Sequence, residues 1–151
     1  MTTEDKMLLI KDLSCRLPYG IHVQHVTTQF SGALSDIISY PLYDEADNVY
    51  DIYAVTNFFG GGDYVYLEYF KPYLFPLSSM TEEQREEFLN IQAEERKILF
   101  DALIEYRYGK RDKKPVIAPY KQIEWLNKNH FDYRGLIPKG SAIDATGKNI
   151  Y

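Results

Sequence analysis

The sequence has little cysteine and no long hydrophobic run, and both shortages limit the class of protein. The single cysteine, Cys15, cannot form an intrachain disulfide, so we expect packing to supply the stability and the compartment to be reducing. The apolar run from Met7 to Ile10 lacks the length and the basic flank of a signal peptide. No stretch approaches the ~20 apolar residues of a membrane span. These observations predict a cytoplasmic protein without a membrane segment.

The sequence also lacks an excess of basic residues. Its net charge is −5, with ten acidic and four basic residues in 1–80 but twelve acidic and thirteen basic residues in 81–151. Nucleic-acid binding depends on neutralising phosphates with basic residues. The excess of acidic residues in 1–80 therefore argues against nucleic-acid binding by the structure that these residues form. The basic patch over residues 107–128 keeps a nucleic-acid-associated module open as the alternative function.

Motifs for catalysis, metal binding or cofactor binding are missing as well. His22 and His25 lie three residues apart on a predicted strand, where their side chains point to opposite faces, so they do not form a metal pair. The glycines at 60–62 lack the Lys-Ser/Thr that completes a phosphate-binding loop. The sequence therefore predicts no catalytic residue, no metal and no cofactor. An enzyme is the third hypothesis, and it requires a deep pocket with at least two of these residues: His22, His25, His130, Arg134 and Cys15.

Hydrophobic periodicity predicts an α+β fold in a single domain over residues 1–151. In residues 1–18, Leu9, Leu13 and Leu17 recur every four residues, as in an amphipathic helix. From Ile21 the period changes to two, and four β-rich runs follow within residues 20–76. This pattern predicts a small curved antiparallel sheet or an SH3-like barrel. The predicted strands are 21–26, 30–40, 49–55 and 64–70, and in the last of them Val65, Leu67 and Tyr69 are expected to face the core.

Residues 81–108 are predicted to form a long charged helix. Thr81 and Gln84 have the spacing of a capping box at its start. Acidic residues in the first turns and basic residues at the end complement the helix dipole. A polar gap between two apolar clusters leaves open whether the segment is one helix or two. A basic linker over 109–118 and a helix with a tail over 119–151 complete the chain.

The tail keeps large apolar residues although it also contains glycine and proline. A frayed tail has no use for such side chains, so we expect an irregular tail that docks on the body of the protein. An anion site that uses Arg134 and Lys139 is the alternative. The apolar residues behind this prediction are Phe131, Leu136, Ile137, Ile143 and Ile150.

Tyrosine is in excess, with fourteen residues. Tyr64 and Tyr66, and Tyr50 from the neighbouring predicted strand, are expected to point outward. Exposed tyrosine combines apolar area with a polar tip in the way that binding surfaces favour. The alternative is that these rings pack under the long helix or the tail.

The second apolar cluster of the long helix, from Ile98 to Tyr106, supplies the rest of a candidate interaction surface, with Leu99, Leu103 and Tyr106. We expect this cluster to be partly uncovered in the monomer or buried by a partner. The leading hypothesis is a non-enzymatic interaction protein that binds another protein or a second copy of itself.

Three stretches resemble known sequences. They read EDKMLLIKDLSCRLPYGI (4–21), KPYLFPLSSMTEEQREEF (71–88) and EWLNKNHFDYRGLIPKGSAIDATGKNIY (124–151). Their amino-acid sequences are similar to those of a group of short proteins from gut anaerobic bacteria, their prophages and other mobile elements. This group has no assigned activity. The resemblance covers somewhat under half of the chain and carries no catalytic motif. The resemblance implies a cytosolic bacterial or phage accessory protein. Residues 89–118 differ from the group and are expected to be an elaboration of a shorter connection.

Overall fold

A computed structural model describes residues 1–41, 50–56, 63–116 and 119–151, leaving the side chains of residues 39–41, 50–56, 63 and 64 outside the description. It confirms the α+β class. The chain divides into two compact units, which we call the sheet unit (1–77 and 130–151) and the helical unit (78–129). The prediction of a single domain over residues 1–151 stays a prediction.

The first helix, α1, spans Thr3–Arg16 and lies in the sheet unit. Thr2 caps its start, because the Thr2 hydroxyl accepts a hydrogen bond from the backbone N–H of Asp5 at 3.1 Å. A 3-10 turn over Leu17–Tyr19 follows, and Gly20 ends it with a left-handed φ of 72°. The helix predicted within residues 1–18 is confirmed.

Among the described residues, six strands form one sheet, in the order β4-β3-β2-β1-β5-β6. The neighbours pair antiparallel except β5 and β6, which are parallel, so the sheet is mixed rather than antiparallel throughout. Within the described residues the sheet is open, with β4 and β6 at its edges, and the SH3-like barrel is not confirmed. The strands are β1 (His22–His25), β2 (Ser31–Pro41), β3 (Tyr50–Thr56), β4 (Asp63–Tyr66), β5 (Phe70–Leu74) and β6 (Ile143–Asp144).

The strand predicted over 64–70 is interrupted. A 3-10 turn over Leu67–Tyr69 separates β4 from β5, so the alternation of faces fails: Leu67 is fully buried, but Tyr69 is exposed. The sequence did not predict β5, because this strand contains Pro72, which lacks a backbone donor. The strand tolerates this proline since β6 pairs only with Tyr73 and Leu74, which leaves one side of Pro72 without a partner strand.

The core of the sheet unit lies between α1, the sheet and the tail. Leu9 and Leu13 of α1 are fully buried in the same cluster as Val23 of β1 and Phe70 of β5. Leu136 brings the tail into this cluster, and it too is fully buried. Burial of a leucine or phenylalanine contributes roughly 1.5–3 kcal/mol, so the tail is held mainly by apolar packing.

The tail docks on the sheet as expected, although it is not wholly irregular. Its residues Ile143 and Asp144 add β6 to the sheet, and the N–H of Ala145 donates to the carbonyl of Leu74 at 2.9 Å. A carboxylate stabilises the preceding turn, because Asp132 accepts hydrogen bonds from the N–H groups of Leu136 and Ile137, both at 2.8 Å.

The helical unit contains α2 (Glu82–Arg107) and α3 (Tyr120–Lys128). The predicted capping box of Thr81 and Gln84 is present. The segment forms one continuous helix of 26 residues rather than two helices. Its end is a Schellman motif: Gly109 takes a left-handed φ of 69°, and the Lys110 N–H donates to the carbonyl of Glu105 at 2.9 Å. At 1.5 Å per residue α2 is about 39 Å long.

Candidate functional site

A buried ion cluster joins α1 to the tail in the sheet unit. Arg16 contacts the carboxylate of Asp12 with both ends of its guanidinium, at 2.7 Å from Nε and 3.0 Å from Nη2, and both residues are 0 % exposed. Arg134 of the tail donates from Nε to the same carboxylate at 3.1 Å. Arg16 also donates from Nη2 to the backbone carbonyl of Phe131 at 2.8 Å. The cluster therefore ties two segments that are far apart in sequence.

Local spacing explains how α1 presents this pair. Asp12 and Arg16 lie four residues apart, so they are neighbours on the helix surface. They share the face that carries Leu9 and Leu13, since these four positions follow the spacing of one helical stripe. This signal was in the sequence, where two charged residues interrupt an apolar face, and the sequence analysis did not use it.

Tyr133 and Cys15 complete the surroundings of the two guanidinium groups. The Tyr133 ring lies 4.7 Å from the guanidinium carbon of Arg134 and 5.5 Å from that of Arg16. Burial is the main cause that raises the pKa of the Tyr133 hydroxyl above its ordinary value. The ring that packs over the two guanidinium groups is therefore uncharged. Arg134 also donates to the Cys15 thiol, with Nη2 and Sγ 3.8 Å apart. Cys15 is half-buried.

His130 lies at the start of the tail, where it is buried and its backbone is strained. Its backbone has a φ of 57°, which is uncommon for a residue other than glycine. Its ring stacks on Tyr151 with centroids 4.0 Å apart, and the buried Nδ1 atom has no hydrogen-bond partner among the described residues. Burial, followed by the nearby charges of Arg16 and His22, lowers the pKa of His130 to about 4.

Tyr151 connects His130 to the sheet. Its hydroxyl donates to the backbone carbonyl of Tyr73 at 2.8 Å and accepts from the backbone N–H of His22 at 3.3 Å. Burial is the main cause that raises the pKa of this hydroxyl above its ordinary value. The hydroxyl is thus a neutral group that ties the tail to β1 and β5.

Apart from the Nδ1 atom of His130, the polar groups described above have hydrogen-bond partners within the protein. The Asp12 carboxylate is held by three N–H donors, and the tail cations of the alternative anion site contact carboxylates: Arg134 contacts Asp12, and Lys139 contacts Asp5 at 3.2 Å. His25 accepts at Nδ1 from the backbone N–H groups of two turn residues, Thr27 and Thr28. The glycines at 60–62 lie outside the described residues. Within the described ranges, His, Cys, Asp and Glu residues form no group of three or more that could hold a metal ion.

The helical unit is held together by polar contacts that start α3. Pro119 provides no side-chain cap, and Glu95 of α2 takes this role by accepting from the backbone N–H of Lys121 at 2.7 Å. A carboxylate at a helix N-terminus is stabilised by the helix dipole. Glu95 also accepts from Gln122 at 2.6 Å, and the Phe88 and Trp125 rings pack beside this contact with centroids 5.4 Å apart. The polar gap in the α2 pattern is therefore the segment that binds α3.

The six residues of the predicted interaction surface have different positions. On α2, Leu99 and Leu103 are half-buried and Tyr106 is 41 % exposed. Tyr66 of β4 is also exposed, and its ring meets that of Tyr69 edge to face. The structure places Tyr50 in β3 and Tyr64 in β4, where their backbones pair with Pro41 and Val55, but their side chains lie outside the description. The role of these residues stays a prediction.

The structure reveals exposed apolar residues on α2 that the sequence analysis did not select. Phe100 is 63 % exposed, Leu89 is 55 % exposed and Ile104 is 40 % exposed. At 3.6 residues per turn these three fall on one side of the helix, which we call the outer stripe. The signal in the sequence that could have identified these three residues is their separation, which is close to a whole number of helical turns.

A second exposed apolar surface lies on another side of α2. Ile98, which is 60 % exposed, lines an open groove of about 330 Å³ together with Ala102, Val116 and Tyr120. All four belong to the helical unit. Glu95, Arg111 and Lys121 also line the groove, and none of the five residues that the enzyme hypothesis names does.

The basic patch over 107–128 is partly neutralised within the helical unit. Lys121 forms an ion pair with Glu94 at 3.2 Å, and Arg111 approaches Glu105 at 3.7 Å. Carboxylates this close reduce the positive potential that phosphate binding needs. The nucleic-acid alternative stays a prediction, and these contacts do not favour it.

Comparison with models of known protein families, with curated proteins and with solved structures gave no match. Among the described residues, each helix is too short or too polar to cross a lipid bilayer.

Proposed function

We propose that the protein is a non-enzymatic protein–protein interaction module, of the kind a cytosolic bacterial or phage accessory protein would provide. The observation that carries this proposal is the exposed apolar surface of α2. Single exposed apolar residues are ordinary on a protein surface. Several large ones on one helix are less so, since contiguous apolar patches are typical of sites that bind another protein.

The polar residues support a non-enzymatic role. In the sheet unit, Asp12 and the Tyr151 hydroxyl are engaged in holding the tail, Asp12 through two arginines and Tyr151 through two backbone groups, while His25 is engaged by the backbone of its own turn. A catalytic group has to reach a substrate. The groove on α2, by contrast, is lined mainly by apolar side chains and has room for a side chain of a partner.

Two matched substitutions on α2 test the proposal. Phe100→Glu and Ile98→Glu each place one carboxylate on an exposed apolar site of similar exposure, but they lie on different sides of the helix. The tagged protein and both variants are expressed in the source cells, and bound proteins are identified by quantitative mass spectrometry. We expect a protein that the wild type retains and one variant loses.

The comparison also shows which surface is used. Loss with Phe100→Glu alone assigns binding to the outer stripe, and loss with Ile98→Glu alone assigns it to the groove. Both side chains are exposed, so neither change should unfold the helix, and circular dichroism checks this. Equal recovery of every bound protein by the wild type and both variants would exclude α2 as the interaction surface.

A further inference from the structure

The outer stripe of α2 has an approximate symmetry in the spacing of its residues. Between Glu86 and Arg107, three pairs of residues on this side of the helix lie at equal distances from a point between Arg96 and Lys97, and the two members of each pair are complementary in size or charge. Leu89 is as far before that point as Ile104 is after it. Ala93 and Phe100 are related in the same way, as are Glu86 and Arg107, and all of these residues are exposed.

From this arrangement we infer that the outer stripe binds the outer stripe of a second copy of the chain, with the two α2 helices antiparallel. This inference rests on the proposed function and names the partner. A twofold axis between Arg96 and Lys97 makes the contact self-complementary, as closed dimers require. Each Leu89 then meets Ile104 of the other copy, and each Ala93 meets Phe100, so a small residue faces a large one.

Charge favours this orientation at the ends of the stripe. The axis places Glu86 of each copy opposite Arg107 of the other, which gives two ion pairs. No intramolecular ion pair engages either residue in the described part of the chain. A parallel pair would place Glu86 against Glu86 and Arg107 against Arg107. The acidic start and basic end of α2 therefore select the antiparallel arrangement.

Charge opposes the contact at its centre. Arg96 and Lys97 lie at the axis, where each meets the other residue of the second copy, so four positive charges come together. Both side chains are long and stand at the borders of the stripe, where they remain in water. The like charges weaken the dimer without preventing it, because exposed charges in water interact by only about 1 kcal/mol or less.

The size of the contact predicts a transient dimer. From Glu86 to Arg107 the stripe is about 32 Å long, and a helix is roughly 10–12 Å wide, so each copy buries on the order of 350 Å². Stable complexes bury about 800 Å² per partner. We therefore expect a dimer that forms and separates with protein concentration rather than a permanent one.

Charge reversal tests the pairing directly. Glu86→Arg alone and Arg107→Glu alone each replace two attractive contacts with two repulsive ones, and each should weaken self-association by about tenfold or more. A mixture of the two variants restores both contacts in a heterodimer, since each reversed residue then meets the reversed residue of the other variant. Recovery of association in the mixture, with neither variant associating alone, is specific to the antiparallel alignment.

Arg96→Glu provides a test in the opposite direction. It turns the two repulsive contacts at the axis into attractive ones, so the dimer should become tighter by about tenfold. A substitution that merely disturbs the fold would not strengthen association. Ile98→Glu, away from the stripe, is the matched control and should leave the dimer unchanged.

The measurement is light scattering coupled to size exclusion, together with sedimentation equilibrium over a wide concentration range. The wild-type mass should rise from 17.7 kDa toward twice that value as concentration increases. A constant monomer mass for the wild type and for Arg96→Glu overturns the second copy as partner. An association that is indifferent to Glu86→Arg and Arg107→Glu overturns it as well. If the protein is monomeric but Phe100→Glu still loses a bound protein from cells, the proposed function stands and only the identity of the partner falls.

Discussion

Substitution of Asp12 by alanine tests the buried ion cluster and measures its contribution to stability. The change removes the carboxylate that receives three N–H donors from Arg16 and Arg134, at 2.7 to 3.1 Å. Arg16 is 0 % exposed and keeps its bond to the Phe131 carbonyl, but its positive charge loses the carboxylate that compensates it. Removal of one partner of a buried ion pair costs about 3–5 kcal/mol.

This cost is large relative to the stability of an ordinary domain, about 5–15 kcal/mol. For a slope of roughly 2 kcal/mol per molar urea, a loss of about 4 kcal/mol lowers the unfolding midpoint by about 2 M. Lys139→Ala is the control, because Lys139 and Asp5 also join the tail to α1 but lie at the surface. An exposed ion pair contributes about 0–1 kcal/mol, so this variant should stay within about 0.5 M of the wild type.

Urea unfolding is followed with two signals. Far-ultraviolet circular dichroism reports both units, whereas the fluorescence of the single tryptophan, Trp125, reports the helical unit. If residues 1–151 unfold as one domain, Asp12→Ala should lower both midpoints equally. A shift in circular dichroism alone would contradict the single-domain prediction. Asp12→Ala midpoints within about 0.5 M of the wild type by both signals would refute the buried ion pair.

Three further predictions concern single residues. His130 has a pKa of about 4 in the folded protein against 6.5 ordinarily, so protonation of the unfolded chain removes stability as pH falls from 6.5 toward 4, by up to roughly 3 kcal/mol. His130→Asn, which tolerates the left-handed backbone, should lose this dependence; equal pH slopes for variant and wild type in urea unfolding would contradict it. Tyr151→Phe should cost about 1 kcal/mol by losing the bond to the Tyr73 carbonyl, and an unchanged urea midpoint would show that water replaces this bond. Thr81→Ala should cost about 1 kcal/mol because the capping box with Gln84 is lost, measured as reduced thermal stability of the helical unit by Trp125 fluorescence, and no change would mean that the start of α2 is frayed.

Local signals predicted the parts of the fold that local forces determine. The capping box at Thr81 fixed the start of α2, and Gly109 marked the turn that ends it. The sheet was harder to predict because tertiary contacts override the pattern. The alternation of faces after β4 fails at the 3-10 turn over Leu67–Tyr69, and β6 exists only because the tail reaches β5 from some seventy residues later in the chain.

The candidate sites show the same limit. Leu99 and Leu103 belong to the apolar cluster that sequence periodicity identified, yet both are half-buried. Phe100 and Ile104, between and beside them, are the exposed members. Periodicity shows which residues share a side of a helix, but it does not show which side is covered when other sides are also apolar.

Burial of charge and exposure of apolar area together favour the helical unit, rather than the ion cluster, as the place of the proposed binding. In the sheet unit, burial of the charged Asp12 and Arg16 side chains costs desolvation free energy. The hydrogen bonds that these two residues make hold the tail against α1. In the helical unit, Phe100 and Ile98 remain in water without any such explanation within the described part of the chain. The desolvation of Asp12 and Arg16 is explained by contacts within the chain. The exposed apolar stripe of α2, with complementary charges at its ends, would be stabilised by contact with a second protein. For this reason we propose α2, rather than the cluster, as the binding surface.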